Sequence, residues 1–142
     1  MVLIERFRKL AIKRGLTPGG LLDASPDDFN LLLLSLRREF VTVRRYNESE
    51  INEQLKNWLQ TVGAMLEVDH VELRRWLVDL AILARDAYGH VYTVASVPPH
   101  LMNMEADALQ IDFAREFSDA NVRESQKRAA RKAVWQQSKS VS

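Results

Sequence analysis

The chain contains no cysteine, which excludes disulfides, thiolate metal ligands and cysteine nucleophiles together. Long apolar runs are missing as well. Even the four consecutive leucines Leu31–Leu34 fall far short of the ~20 apolar residues that a membrane-spanning helix needs. The first residues set Glu5, Arg6 and Arg8 among apolar neighbours, with no apolar stretch of secretory-signal length, so cytoplasmic residence is the expectation. Histidine is scarce. His70, His90 and His100 stand in different segments, without HxxxH or HExxH spacing. A metal or acid–base set of His70 with Asp69 or Glu72 competes with helix-capping roles for both acids. No GxxxxGK[ST], GxGxxG or GxSxG stretch occurs, and Gly19-Gly20 stands alone. The expectation is a protein without catalytic residues, metal or cofactor.

What is present is an ordinary globular balance, 46% hydrophobic and 27% charged residues, in a length that suits one domain with a buried core. The net charge of +1 conceals an uneven distribution. Residues 41–95 hold six cations against eight acids, and residues 119–142 hold six against two. The middle of the chain is slightly acidic and its C-terminal part basic, which matters because duplex binding draws on Lys and Arg.

Hydrophobic spacing and capping signals order the elements. Leu3, Phe7, Leu10 and Ala11 fall on one face of a helix over 2–14. Its basic opposite face reads as a solvated surface, with membrane or partner contact as the alternative. Gly15 suits the C′ position, and Thr17-Pro18-Gly19-Gly20 breaks the chain. Ser25-Pro26-Asp27-Asp28 is a helix start, leading a helix over 26–40 with Phe29, Leu32, Leu33 and Leu36 in one stripe; Leu31 and Leu34 thicken it, which implies contacts on more than one side. Val41–Arg45 is β-branched and short, fitting an edge strand.

Asn47-x-x-Glu50 is a capping box with Tyr46 and Ile51 as its staple, and Asp69-x-x-Glu72 repeats the device with Val68 and Leu73. Gly63 marks the turn between the two helices. In the second, Leu73, Trp76, Leu77 and Leu80 face inward, while Val71, Arg74, Arg75 and Val78 face outward and His70 sits at the N-terminal rim. Ile82–Arg85 and His90–Val94 read as strands around a turn closed by Gly89. From Met104 to about Gln137 the pattern predicts one long helix or two collinear ones, and the tail is expected to be disordered.

Helix, strand, helix, turn, helix, strand, turn, strand is the order of a winged helix-turn-helix. The expected fold class is mainly α with a small β-hairpin, a winged helix-turn-helix core with N- and C-terminal helical extensions. Its parts are an N-terminal helix and linker (1–22), the winged-helix-like domain (23–97), a long C-terminal helix (98–137) and a disordered tail (138–142).

Arg45-Tyr46 with Glu48, Glu50 and Ile51-Asn52, then Asp69-His70, Leu73-Arg74-Arg75, Leu77-Val78-Asp79, Leu83, Arg85-Asp86 and Tyr92 occur in one spacing. On these residues the stretch 44–94 resembles the bacterial domain-of-unknown-function family 2087. The resemblance implies a compact winged-helix-like domain, often beside a separate helix-turn-helix in transcriptional regulators, with no established catalytic activity. This chain departs from that pattern in two places. Residues 1–22 are too short for another DNA-binding domain, and VDLAILARD stands where the family has VDxGLLxRD.

The functional expectation is a DNA-binding, transcription-regulator-like protein acting as a homodimer, with no membrane contact. Arg74 and Arg75 would enter the groove, Arg44, Arg45 and Lys56 would hold phosphates, and His70, Tyr88 and His90 would add contacts at the rim and wing. Glu67, Asp69, Glu72 and Asp79 oppose this, and ion pairing of Arg74 and Arg75 is the competing reading. The alternative function is a protein-interaction or dimerisation module, with Val71, Val78 and the C-terminal helix as the seam. Lys127–Lys132 is either an accessory nucleic-acid arm or a solvated helix end.

Overall fold

A helix that is apolar on all sides has to be surrounded, and Leu31–Leu34 make the second long helix of the chain such an element. The computed structural model describes residues 2–141. Helices α1 (Leu3–Ala11), α2 (Pro18–Ala24) and α3 (Pro26–Arg37) precede α4 (Glu48–Gln60) and α5 (His70–Asp79). Strands β1 (Leu83–Arg85) and β2 (Tyr92–Val94) pair antiparallel, and a 3-10 turn at Pro99–Leu101 leads into α6 (Met102–Ala108) and α7 (Phe113–Val141). The described residues are thus mainly helical with one small hairpin. None of their helices is long and apolar enough to cross a membrane.

α3 starts where its sequence says. The Ser25 hydroxyl accepts the Asp28 amide, Pro26 occupies the first turn, and Asp27 and Asp28 meet the positive end of the helix dipole. Leu31 through Leu36 are all buried. α1, α2 and α6 pack around them, and the Phe29 ring meets Trp76 of α5 edge-on at 5.6 Å. At its C-terminal end Arg37 donates to the Ala95 carbonyl (3.1 Å) and pairs with Glu105 (3.5 Å). Arg38 donates to the carbonyls of Ala108 and Ile111. Both ends of α3 are therefore tied to segments distant in sequence.

The N-terminal part differs from expectation. Thr17-Pro18 opens a helix instead of only breaking one: the Thr17 hydroxyl accepts the Gly20 amide at 3.1 Å and Pro18 takes the first position of α2. α1 ends at Ala11 with Ile12 as its C-cap, so Gly15, with φ +77°, redirects the chain beyond the helix and does not act as its C′ residue. Leu16 then joins the link between α4 and α5. Its amide donates to Met65 (3.0 Å) and its carbonyl accepts from Glu67 (2.7 Å). With Phe7, Leu10 and Ala11 in the common core, the N-terminal helix is part of the domain.

The expected edge strand over Val41–Arg45 is absent. Val41 is exposed and Val43 is 91% exposed; β-branched residues with no face to pack on gain nothing from extension. Only Tyr46 pairs, exchanging backbone hydrogen bonds with Tyr92 at 2.9 and 2.8 Å. Asn47 and Glu50 form the reciprocal capping box at the start of α4. Asp69 caps α5 through the Glu72 amide at 2.8 Å, but the return bond from Glu72 is not made among the described residues. In the link, a Cβ on Gly63 would lie 2.3 Å from the Trp58 ring, so glycine is the residue that lets this turn close on a buried tryptophan.

The helix foreseen from Met104 is interrupted at Leu109–Asp112, and Asp112 opens α7 by accepting the Arg115 amide at 3.1 Å. α7 then continues through the expected tail as far as Val141; Ser142 lies outside the described residues.

α5 ends in a Schellman motif. Ile82 donates to Leu77 (2.9 Å) and Ala81 to Val78 (3.1 Å), with Ala81 held at φ +60°. This is the position at which the resembling family carries glycine. A side chain in the left-handed region costs about 1–2 kcal/mol, offset in part by the greater unfolded-state entropy of glycine. Ala81→Gly is therefore expected to raise stability by about 0.5–1 kcal/mol in urea unfolding; an unchanged or lowered midpoint would show that the turn is not strained by the methyl group.

Candidate nucleic-acid interface

The residues singled out in the sequence gather around α4, α5 and the hairpin. In the hairpin register Leu83 faces Val94 and Arg85 faces Tyr92. Leu83 and Tyr92 are buried, and Ala84 and Arg85 are exposed. The tip is shaped by one carboxylate: Asp86 accepts the amides of His90 (2.7 Å) and Val91 (3.2 Å). Gly89, at φ +72°, supplies the turn that brings them there. The Val91 amide chiefly, with that of His90, holds the Asp86 carboxyl below the usual aspartate range against a smaller opposing effect of desolvation. Tyr88 is 82% exposed and stacks on the His90 ring at 6.3 Å.

Arg74 corrects the expectation of an outward-facing pair. It donates to Asn52 Oδ1 at 2.6 Å and pairs with Glu48 at 3.1 Å, with its side chain only 15% exposed. At 100° per residue, Arg74 lies on the flank next to the buried Leu73, and α4 covers that flank. Val78 is likewise drawn onto the core, while Arg75 stays exposed and Val71 is 37% exposed. Arg75 and Arg85 line one cleft of about 280 Å³ together with Arg74, Asp79 and Tyr92. The sequence assigns Arg85 to a strand and to the stretch that carries the family resemblance, but not to the DNA contacts; its place before the turn, opposite inward Tyr92, is the signal that points to it.

A second, shallower cleft of about 570 Å³ separates the hairpin tip from the start of α4. It sets His90 and Lys56 against Glu48 and Glu53. Arg44 pairs with Glu50 and lies 4.7 Å over the Tyr46 ring, and Arg45 is exposed beside it. His70, half-buried at the first position of α5, lines neither cleft. Among the described residues no group of three or more histidine, aspartate or glutamate side chains is placed to hold a metal ion.

Fold and site together define a small, mainly helical domain in which two capped helices are backed by an antiparallel hairpin. The chain belongs to the family described as "uncharacterized protein conserved in bacteria (DUF2087)", whose model matches residues 22–94. No curated protein and no solved structure matches the chain.

Two outcomes follow from the geometry. Because Arg74 ties α5 to α4, Arg74→Ala should destabilise the protein by about 1 kcal/mol, a charged hydrogen bond discounted for the exposure of Glu48. Arg75→Ala should stay within about 0.5 kcal/mol; equal urea midpoints for the two variants would contradict the distinction. Asp86, with its folded value lowered, supports the hairpin tip fully above the ordinary aspartate range and ceases to do so as pH falls through the lowered value. The amide resonances of His90 and Val91 should titrate with a midpoint below the ordinary aspartate value of ~3.9, and a midpoint at or above it would remove the claim.

Proposed function

We propose that this protein is a non-catalytic, regulator-like protein that binds duplex DNA through a winged helix-turn-helix formed by α3, α4, α5 and the β1–β2 hairpin. The observation that carries the reading is the pairing of Tyr46 with Tyr92. It anchors the chain entering α4 to the last strand of the hairpin, the connection that a first strand makes in a winged fold. Exposed Arg75 and Arg85, side by side in one cleft, supply forks suited to phosphate or guanine edges. Arg44 and Arg45 precede Tyr46 where a backbone contact would fall. Tyr88 and His90 form the wing tip, and His70 lies at the N-terminal rim of α5. Arg74 positions α5 on α4 in this reading and does not enter the groove.

A specific observation favours a second reading, a protein-interaction module. Glu48, Glu53 and Asp79 line the same clefts as the candidate cations, and such acids would repel phosphates. The homodimer expected from the sequence has little here to build on. Val78 packs on its own core, and the outer part of α7 carries cations where a dimer seam would need an apolar stripe. The proposal is therefore made for one copy of the chain.

Fluorescence anisotropy with random duplex DNA over a salt series tests it, with the Arg75→Ala/Arg85→Ala variant alongside. The variant should bind about tenfold more weakly, with a log–log salt slope shallower by about two. Identical curves for variant and parent would overturn contact through α5 and the hairpin and leave the protein-interaction reading.

A further inference from the structure

Positive charge converges from the two ends of the chain on one side of the molecule. Residues 5–14 hold five cations and one acid, and residues 123–139 six cations and one acid. These two stretches together carry +9, and the rest of the chain carries −8. The fold brings them together because α1 runs alongside the first part of α7. Phe7 and Phe113 meet edge-on at 4.9 Å, Arg8 pairs with Glu116 at 2.7 Å, and Asn121 Nδ2 donates to the Ala11 carbonyl at 2.9 Å. A cleft of about 180 Å³ on one side of this seam is lined by Arg8, Lys9, Arg123 and Lys127 with Glu124. A neighbouring cleft of about 250 Å³, which shares Ile12 and Glu124 with the first, is lined by Arg14 and Arg128.

Beyond the end of α1, the helix α7 goes on unaccompanied. From Ser125 to Lys139 every residue is exposed, a length of about 22 Å at 1.5 Å per residue. At 100° per residue the six cations of 123–139 fall within one half of the helix circumference. The other half holds Ser125, Gln126, Ala129, Ala130, Ala133 and Gln136, none of them charged. The basic half continues the face that α7 sets against α1 through Phe113, Phe117 and Asn121. Its internal neutralisation is slight: Arg128 and Arg131 share the single Glu124 at 3.5 and 3.4 Å. Among the described residues, Lys9, Arg123, Lys127 and Lys132 make no ion pair.

We propose that the outer half of α7, with Lys9 of α1 at its base, is a binding arm for duplex DNA. The chemistry selects the partner. A protein covering this face would want an apolar stripe, and among the described residues of α7 the exposed large apolar ones are Val122, Val134 and Trp135. The last two are sequence neighbours about 100° apart, set among cations, which does not make the continuous apolar face that seats a helix in a lipid surface. A narrow helix bearing alanine and unbranched cations fits the B-form major groove, about 12 Å wide, whereas the A-form groove of duplex RNA is too narrow for it. The inference goes beyond the α5–hairpin reading and does not rest on it.

The test uses the full chain and the variant Lys127→Gln/Arg131→Gln/Lys132→Gln, whose exposed sites should leave the helical circular dichroism and the urea midpoint unchanged. With random duplex DNA over a salt series, the variant should lose about two to three units of log–log slope and at least about tenfold in affinity near 0.1 M salt. Lys127→Arg/Lys132→Arg should bind as the parent does, since charge on the arm is what acts. An unchanged slope in the glutamine variant overturns the arm. So does equal affinity for duplex RNA, or tighter binding to phosphatidylserine-containing vesicles. Run beside Arg75→Ala/Arg85→Ala, the series separates the two surfaces: loss only in the arm variant supports the arm and removes the α5 contact, and loss only in the α5 variant does the reverse.

Discussion

The burial of α3 on every side is the constraint from which the remaining architecture follows. Its leucines gain about 1.5–3 kcal/mol each from leaving water, but only if other elements close around them. Among the described residues no sheet is large enough to do so, since the hairpin is three residues per strand. Helices must supply the cover, and α1, α2, α5 and α6 each bring an apolar face for it. Arg37 and Arg38 then satisfy backbone carbonyls after the hairpin and at the end of α6. Those bonds fix where α7 begins, and with it the line along which α7 meets α1.

Local signals with a single reading were legible. The Asn47–Glu50 box and the Ser25-Pro26 start specify helix beginnings through bonds between residues three apart, which no distant contact has to complete. Signals with two readings were settled by packing. Thr17-Pro18 can end one helix or begin another, and the presence of Leu21 in the core decides for the second. Val41–Arg45 has strand composition, but a strand needs a partner along its length, and only Tyr46 finds one.

The candidate site shows the same division at the level of single side chains. The periodicity of α5 correctly places Leu73 and Leu77 in the core. It cannot say which flank a neighbouring helix will cover, and that alone separates Arg74, held by Asn52 and Glu48, from exposed Arg75. Ala81 is the converse case. The motif fixes the backbone at φ +60° through two backbone hydrogen bonds that any residue but proline can donate, so the fold tolerates alanine at a position suited to glycine, with strain as the consequence.

The basic ends of the chain each resemble an ordinary solvated helix when read alone, because their meeting depends on Phe7 and Phe113, more than a hundred residues apart. Joined, they gather a charge of +9 in two neighbouring stretches of a chain whose remainder carries −8. Phosphate contacts set affinity and position while base contacts set sequence preference, and these tasks make opposing demands on one surface. On the proposed reading, Asp79 beside Arg75 and Arg85, and Glu48 and Glu53 across from Lys56 and His90, would weaken indiscriminate attraction there, so that a contact would form only where hydrogen bonds compensate. A remote basic helix can supply the attraction without that restriction. On the proposed reading, the separation of charge along the fold is what allows both demands to be met in a chain whose net charge is only +1.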